Sequence, residues 1–383
     1  MLMQTTSDGE RALTSNFEPA ERLKKIKPSG IRHFFSLTRE IPDIINLTVG
    51  EPDFNPPQHA IKACIEAAKE GKTHYAPTNG IQELREAIGQ KTYSDYSLNY
   101  DPNTEILVTV GGTEAIFAAL IGLINPGDEV LIPDPGFVCY EPCVVLAGGV
   151  PVSIPLLERN EFKPFIEDVT SLITDKSRVM ILNYPNNPTG AVLSYDEIAE
   201  LVKIAVDHNL IVISDEVYEK MVYDDAKHYC VATFPEMRER TLVVNSFSKT
   251  YAMTGLRVGF VCGPKELISP LWLMHQYTVA CVNSPAQYMA LAALKGPQDF
   301  VENMMREFDR RRRMVYKRLN EITGFNCKLP KGAFYVFPNI MGFNMPSVQF
   351  AEFLMREAHV ATVPGLMFGR HGKLCKNFLC FCI

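Results

Sequence analysis

From about residue 105 the chain alternates short β-rich runs with helical patterns, and this alternation limits its fold more than any other feature. EILVTV (105–110) reads as a strand and TEAIFAALIGLI as a helix. EVLIPD (129–134) is a strand, followed by a helical stretch through CYEPCVVLAG. VPVSIPL (150–156), RVMILNY (178–184), LIVISDE (210–216), TLVVNSF (241–247) and VGFVCG (258–263) are further strands. YDEIAELVKIAVDHN (195–209) has the apolar spacing of an amphipathic helix. Near-continuous apolar strands separated by helices predict an α/β domain whose mostly parallel sheet is buried on both faces. The segment 297–383 differs in texture. It opens on the charged helix FVENMMREFDRRRRMVYKRLNEI, and short strands such as GAFYVFP follow. With roughly the first fifty residues it is expected to form a smaller α+β domain, dividing the chain as 1–50, 51–290 and 291–383. The run Arg310 to Arg313 reads as a solvated helix face.

In such a sheet ligands bind beyond the carboxyl ends of the strands, so the polar residues there carry the functional reading. After EILVTV comes Gly111-Gly112-Thr113 opening a helix, where glycines and free N–H groups suit a phosphate; a simple tight turn fits equally well. After RVMILNY comes PNNPTG (185–190), a turn with Asn187 inside it. LIVIS ends on Asp215-Glu216-Val217-Tyr218; a carboxylate there either caps a loop or pairs with a cation. TLVVNSF is followed by Lys249 and then Arg257, in the largely apolar stretch SFSKTYAMTGLRVGF (246–260). Phe137, in PDPGFVCY, follows another strand and is placed to stack on a ring. Together these residues suit a phosphorylated, cationic aromatic ring bearing a carbonyl. The lysine forms an imine with that carbonyl, the aspartate keeps a ring nitrogen protonated, and Arg257 neutralises the phosphate.

SFSKTYAMTGLRVGF, NYPNNPTG, ISDEVY, GGTEA and THYAPTNGIQELREA closely resemble class I aminotransferases, pyridoxal-phosphate enzymes of fold type I. The resemblance runs from LTVGEPDF (47–54) to VPGLMFG (363–369). It implies a three-layer α/β large domain with a smaller α+β domain, and a homodimer. By the same resemblance Lys249 bonds the cofactor as an imine and shuttles a proton. Asp215 pairs with the ring nitrogen, while Tyr218 and Asn187 hydrogen-bond the phenolic oxygen. Ser246, Arg257, Gly112 and Thr113 hold the phosphate, and Phe137 stacks. Tyr75 reaches the phosphate of the neighbouring subunit's cofactor. Gly50, with Asn187, lies beside the substrate. The implied reaction is transamination between an L-amino acid and a 2-oxo acid; a lyase or decarboxylase of the same fold would share the cofactor residues.

One departure from the family stands at the C-terminal end. Members carry an arginine for the substrate's α-carboxylate on a late strand, and Phe378, in NFLCF (377–381), falls in its place. The nearest cations are Arg370, Lys373 and Lys376. Three of the ten cysteines crowd LCKNFLCFCI, a tail that reads as shortened or altered relative to the family, which makes a cofactor-binding protein of impaired activity the alternative function.

Composition narrows the other classes. The net charge of -6 argues against a dedicated nucleic-acid binder. The N-terminus lacks a secretory pattern and AIFAALIGLI is too short to span a bilayer, so a cytoplasmic protein with no membrane partner is expected. No CxxC pair suggests a metal, and no convincing GxGxxG suggests a dinucleotide. About 45 residues before LTVGEPDF leave little room for a DNA-binding domain of the kind found in aminotransferase-like regulators.

Overall fold

The computed structural model describes residues 18–26, 28, 30, 34, 38, 41–369 and 375–383. Its centre is a seven-stranded sheet. In chain order the strands are β1 (Ile106–Thr109), β2 (Glu129–Asp134), β3 (Val150–Pro155), β4 (Ser177–Asn183), β5 (Ile211–Asp215), β6 (Thr241–Ser246) and β7 (Gly259–Cys262). Their spatial order is β1-β7-β6-β5-β4-β2-β3. Neighbours are parallel except at β7, which runs antiparallel to both β1 and β6. The α/β expectation with a mostly parallel sheet therefore holds.

The strands read as unbroken apolar runs because both faces are covered. Along β4, Val179 and Ile181 join one buried cluster, which includes Ile116, Leu120 and Leu271. Met180 and Leu182 point the other way, into a cluster that includes Leu201 and Phe308. Period-two alternation thus feeds two cores, and helices supply the far side of each. The helix Tyr195–Asp207 starts at a capping box, in which the Ser194 hydroxyl accepts from the Glu197 N–H and the Glu197 carboxylate accepts from the Ser194 N–H. Its apolar stripe, Ile198, Leu201, Val202 and Ala205, is buried.

Parallel pairing brings three strand ends side by side. Asn183 and Asp215, the last residues of β4 and β5, are register partners. Asp215 is in turn paired with Val244 of β6, two residues before Ser246. Side chains far apart in sequence are thereby presented at one edge of the sheet.

The C-terminal region adds a three-stranded antiparallel sheet in which Leu379–Cys382 lies between Val363–Pro364 and Tyr335–Val336. Ile45–Asn46 pairs in parallel with Val360–Ala361, joining the N-terminal segment to this region. The long helix Asp299–Asn320 forms as its pattern predicts, but the arginine run is not a uniformly solvated face. Arg312 is 1% exposed; it donates to the Pro330 carbonyl at 2.9 Å and pairs with Asp224 at 2.8 Å. Arg311 grips Asp53 through both carboxylate oxygens, at 2.9 and 3.0 Å. Only Arg310 and Arg313 of the four are exposed. At the helical repeat, consecutive residues fan around the axis, so a run of four cannot all face water.

Candidate active site

Beyond the ends of β4, β5 and β6 lies a cavity of about 680 Å³. Gly50, Gly112, Thr113, Phe137, Asn187, Asp215, Tyr218, Ser246, Lys249 and Arg257 all line it. Of the residues singled out in the sequence, Tyr75 does not; it stands on the surface at 90% exposure.

Lys249 sits on a four-residue helix, Phe247–Thr250, that begins as β6 ends. Ser246 fixes that turn: its hydroxyl accepts from the Ser248 N–H at 3.1 Å and lies 2.8 Å from the Ser248 hydroxyl. The Lys249 ammonium donates to the Gly50 carbonyl and lies 5.4 Å from the Phe334 ring centroid and 5.8 Å from that of Tyr218. Burial lowers its pKa to about 8, with Arg257 adding to the effect, while Cys382, Glu51 and Asp215 oppose it. At neutral pH an appreciable fraction is therefore free amine, the nucleophilic form.

Asp215 lines the same cavity. Its carboxylate is 3% exposed, and burial raises its pKa to about 6. The Tyr140 hydroxyl, donating to Oδ2 at 2.6 Å, limits that rise. Most molecules still carry the negative charge at pH 7, aimed into the cavity and able to hold a ring N–H⁺.

The same cavity is lined by a set of hydroxyls and an amide. The Tyr218 and Tyr335 hydroxyls are 2.6 Å apart, and the Asn187 amide is 3.4 Å from the Tyr335 hydroxyl. The Asn187 backbone N–H is held by the Asn183 side chain at 2.9 Å. Asn187 Oδ1 is buried without a partner among the described residues, so the amide keeps hydrogen-bonding capacity toward the cavity.

The Arg257 end of the cavity is shaped by close packing. Arg257 takes a left-handed backbone conformation, φ 55°, which folds its guanidinium back to the Thr254 carbonyl at 2.9 Å. There it meets Gly111, where a Cβ would lie 2.6 Å from Arg257 Nη2 and where φ is +76°. Only glycine satisfies both conditions. Helix Gly111–Leu123 starts at this contact and offers its first N–H groups beside the guanidinium.

Sequence reasoning passed over Tyr140 and Tyr335. Tyr140 opens a helix with no polar motif around it. Tyr335, from GAFYVFP, had a legible signal: a hydroxyl inside an otherwise apolar strand needs a partner. Phe378 does not line the cavity. It is buried, stacks on Phe337 at 5.0 Å and packs edge-on to Phe162 at 5.5 Å. Lys376 is exposed, and Arg370 and Lys373 lie outside the described residues. Phe378→Arg should therefore destabilise the chain by roughly 3 kcal/mol or more, because it buries an unpaired charge in an aromatic cluster. A thermal melt matching that of the parent chain would refute this placement.

A buried lysine of lowered pKa, a buried carboxylate and an arginine beside a helix start, all in one cavity, suit an aminotransferase. Comparison with known proteins agrees: the chain belongs to the aminotransferase class I and II family, whose model matches residues 42–379. It is 46% identical over 356 residues to an aspartate aminotransferase of Pyrococcus abyssi, covering 92% of this chain and 91% of that protein. It is 44% identical over 356 residues to aromatic-amino-acid aminotransferase 2 of Thermococcus litoralis, with the same coverage. The crystal structure of an aromatic aminotransferase from Pyrococcus horikoshii superposes with a TM-score of 0.86 at 44% identity, covering 92% of this chain and 93% of the other. The chain is thus an enzyme of transamination. Among the described residues no helix is long and apolar enough to cross a membrane.

Proposed function

We propose that the chain uses pyridoxal 5'-phosphate to exchange the amino group of an L-amino acid with the oxo group of a 2-oxo acid. The observation that carries this reading is that Lys249, Asp215, Gly112 and Arg257 line one cavity, with the Arg257 guanidinium packed against Gly111. When bound, the cofactor supplies an electron sink for the carbanion formed at the substrate's Cα. Lys249 Nζ would be the group that anchors the cofactor covalently, and its free amine would be the base that moves the Cα proton. Asp215 would hold a protonated ring nitrogen. Tyr218 and Asn187 hold the phenolic oxygen, and Tyr335 orients both through its hydroxyl. Ser246, Gly112 and Thr113 join Arg257 around the phosphate, and Phe137 covers the ring. Gly50 borders the substrate, where a Cβ would lie 2.6 Å from the Tyr335 hydroxyl. Tyr75, exposed on the surface, is assigned to the neighbouring subunit's phosphate in a homodimer.

The cavity lining favours an aromatic or other apolar side chain over a dicarboxylate. Among the described residues Lys249 and Arg257 are the only cations lining it, and both have assigned roles. Ile26, Val138, Pro142 and Phe368 supply apolar wall, as a substrate with an apolar side chain requires. An amino-acid panel followed by the cofactor's visible absorption tests both statements. Phenylalanine or tyrosine should convert the band at least about tenfold more efficiently than aspartate, a difference of some 1.4 kcal/mol. A preference for aspartate would overturn the substrate assignment, and a band unmoved by any amino acid would overturn the reaction.

A further inference from the structure

The turn that follows β5 has two faces. Asp215, Val217 and Tyr218 line the cavity. Glu216 and Glu219 are absent from that lining, yet they are 1% and 5% exposed. Two buried carboxylates within five residues need a reason, because each loses hydration that only partners can replace.

Both are fully partnered. Glu216 Oε1 accepts from the Ser214 hydroxyl at 2.7 Å and the Val231 N–H at 3.3 Å, and Oε2 lies 2.9 Å from His228 Nε2. Glu219 receives the Lys91 ammonium at 2.6 Å and the Tyr96 hydroxyl. Burial alone would raise the Glu219 pKa, but the charges of Lys91, Lys220 and His228 more than offset it and hold it at about 2. Lys91 also pairs with Asp95 at 3.0 Å, and Asp95 with Lys220 at 2.9 Å. The Tyr96 and His228 rings meet edge-on at 6.0 Å, which joins the two halves. The ligand atoms of Glu216, Glu219 and His228 lie within 4.8 Å of one another, a spacing a metal ion could bridge. The Lys91 ammonium already neutralises Glu219, so a divalent cation would meet a positive charge there.

The backbone of the turn is equally constrained. The Glu216 N–H reaches the Val244 carbonyl at 2.9 Å, the Glu219 N–H the Glu216 carbonyl at 2.9 Å, and the Met221 N–H the Tyr218 carbonyl at 2.7 Å. A displacement of either glutamate must therefore move Asp215 or Tyr218, its direct neighbour in the chain.

We propose that the buried network of Glu216–His228 and Glu219–Lys91–Tyr96 is a positioning device that sets where Asp215 and Tyr218 meet the bound cofactor. This rests on the assignment of the cavity to pyridoxal phosphate. The network stays outside the reaction and transmits its geometry through the turn 215–219. An error of about 1 Å at such groups is enough to cost roughly a hundredfold in rate.

The test compares His228→Leu, which strips a partner from Glu216, with His228→Gln, which restores an amide donor. Both are made in the full chain loaded with pyridoxal phosphate. Three readouts are needed: cofactor dissociation constant, the pH midpoint of the cofactor's visible band, and kcat and KM separately. Expected for His228→Leu are cofactor binding weakened about tenfold, a shifted midpoint, and a fall in kcat with little change in KM; His228→Gln should recover most of each. Should His228→Leu fail to fold, the double variant Lys91→Met/Glu219→Gln removes a charge pair together and carries the same readouts. A lower melting temperature with unchanged cofactor affinity and unchanged midpoint would overturn the proposal. A parent chain that binds no pyridoxal phosphate would instead remove the cofactor reading itself.

Discussion

Lys249→Ala is expected to lower transamination by about 10⁴-fold, the upper end of what a single acid–base group contributes. The reason is double duty at one atom. In the proposed reaction Lys249 Nζ would be the nucleophile for the cofactor carbonyl, and the same nitrogen the base for the Cα proton. Its pKa of about 8 makes both roles compatible with neutral pH, because burial penalises the ammonium form. The parent chain should therefore capture pyridoxal phosphate faster as pH rises, levelling off above about 8, where the amine is free. The alanine variant should hold the cofactor only through Arg257, the helix start at Gly111 and the cavity wall, with no such pH dependence. Stopped-flow absorbance on cofactor-free protein measures both. Turnover in the alanine variant within tenfold of the parent would remove Lys249 from the mechanism.

How much of this was legible beforehand depends on whether a residue's meaning is local. The strands were readable because burial on both faces leaves nothing but apolar residues, as Val179 to Leu182 show. Lys249, Asp215 and Asn187 were conspicuous as polar groups where such runs end. Tyr335 signalled only that its hydroxyl needs a partner, not which one, since Tyr218 is 117 positions away and only the assembled fold brings them to 2.6 Å. The Gly50 carbonyl, 199 residues from the lysine it accepts from, is invisible for the same reason. Arg312 shows the reverse error. Composition made it a surface charge, but Asp224 and Pro330 arrive from elsewhere in the chain to satisfy it in the interior. Phe378 marks the limit of reading position from a motif. A residue matched to an arginine by its neighbours turned out to stack on Phe337, away from the cavity.

Asp215→Asn should separate function from stability in opposite directions. The asparagine keeps the size of the side chain and can still accept from the Tyr140 hydroxyl, so the turn at the end of β5 has no steric reason to move. What disappears is the negative charge proposed to hold a ring proton in place, and kcat/KM should fall about 10²–10³-fold, as for loss of other preorganised electrostatic groups. The cofactor-free chain should nevertheless become more stable. Burial raises the Asp215 pKa from 3.8 to about 6, so the folded state resists its ionisation. Between about pH 4 and 6 the folded chain binds more protons than the unfolded one, and stability attributable to this group declines as pH rises through that window. Above pH 6 the full cost, on the order of 1–3 kcal/mol, is present. The asparagine variant escapes it and should melt several degrees higher at pH 8, with the advantage gone at pH 4. Thermal melts of both proteins at the two pH values decide the matter: a variant less stable at pH 8, or one of undiminished activity, would show that the Asp215 charge is not held at a cost for catalysis. The expected pattern would show that the fold tolerates an unfavourable charge at the one strand end where the chemistry needs it.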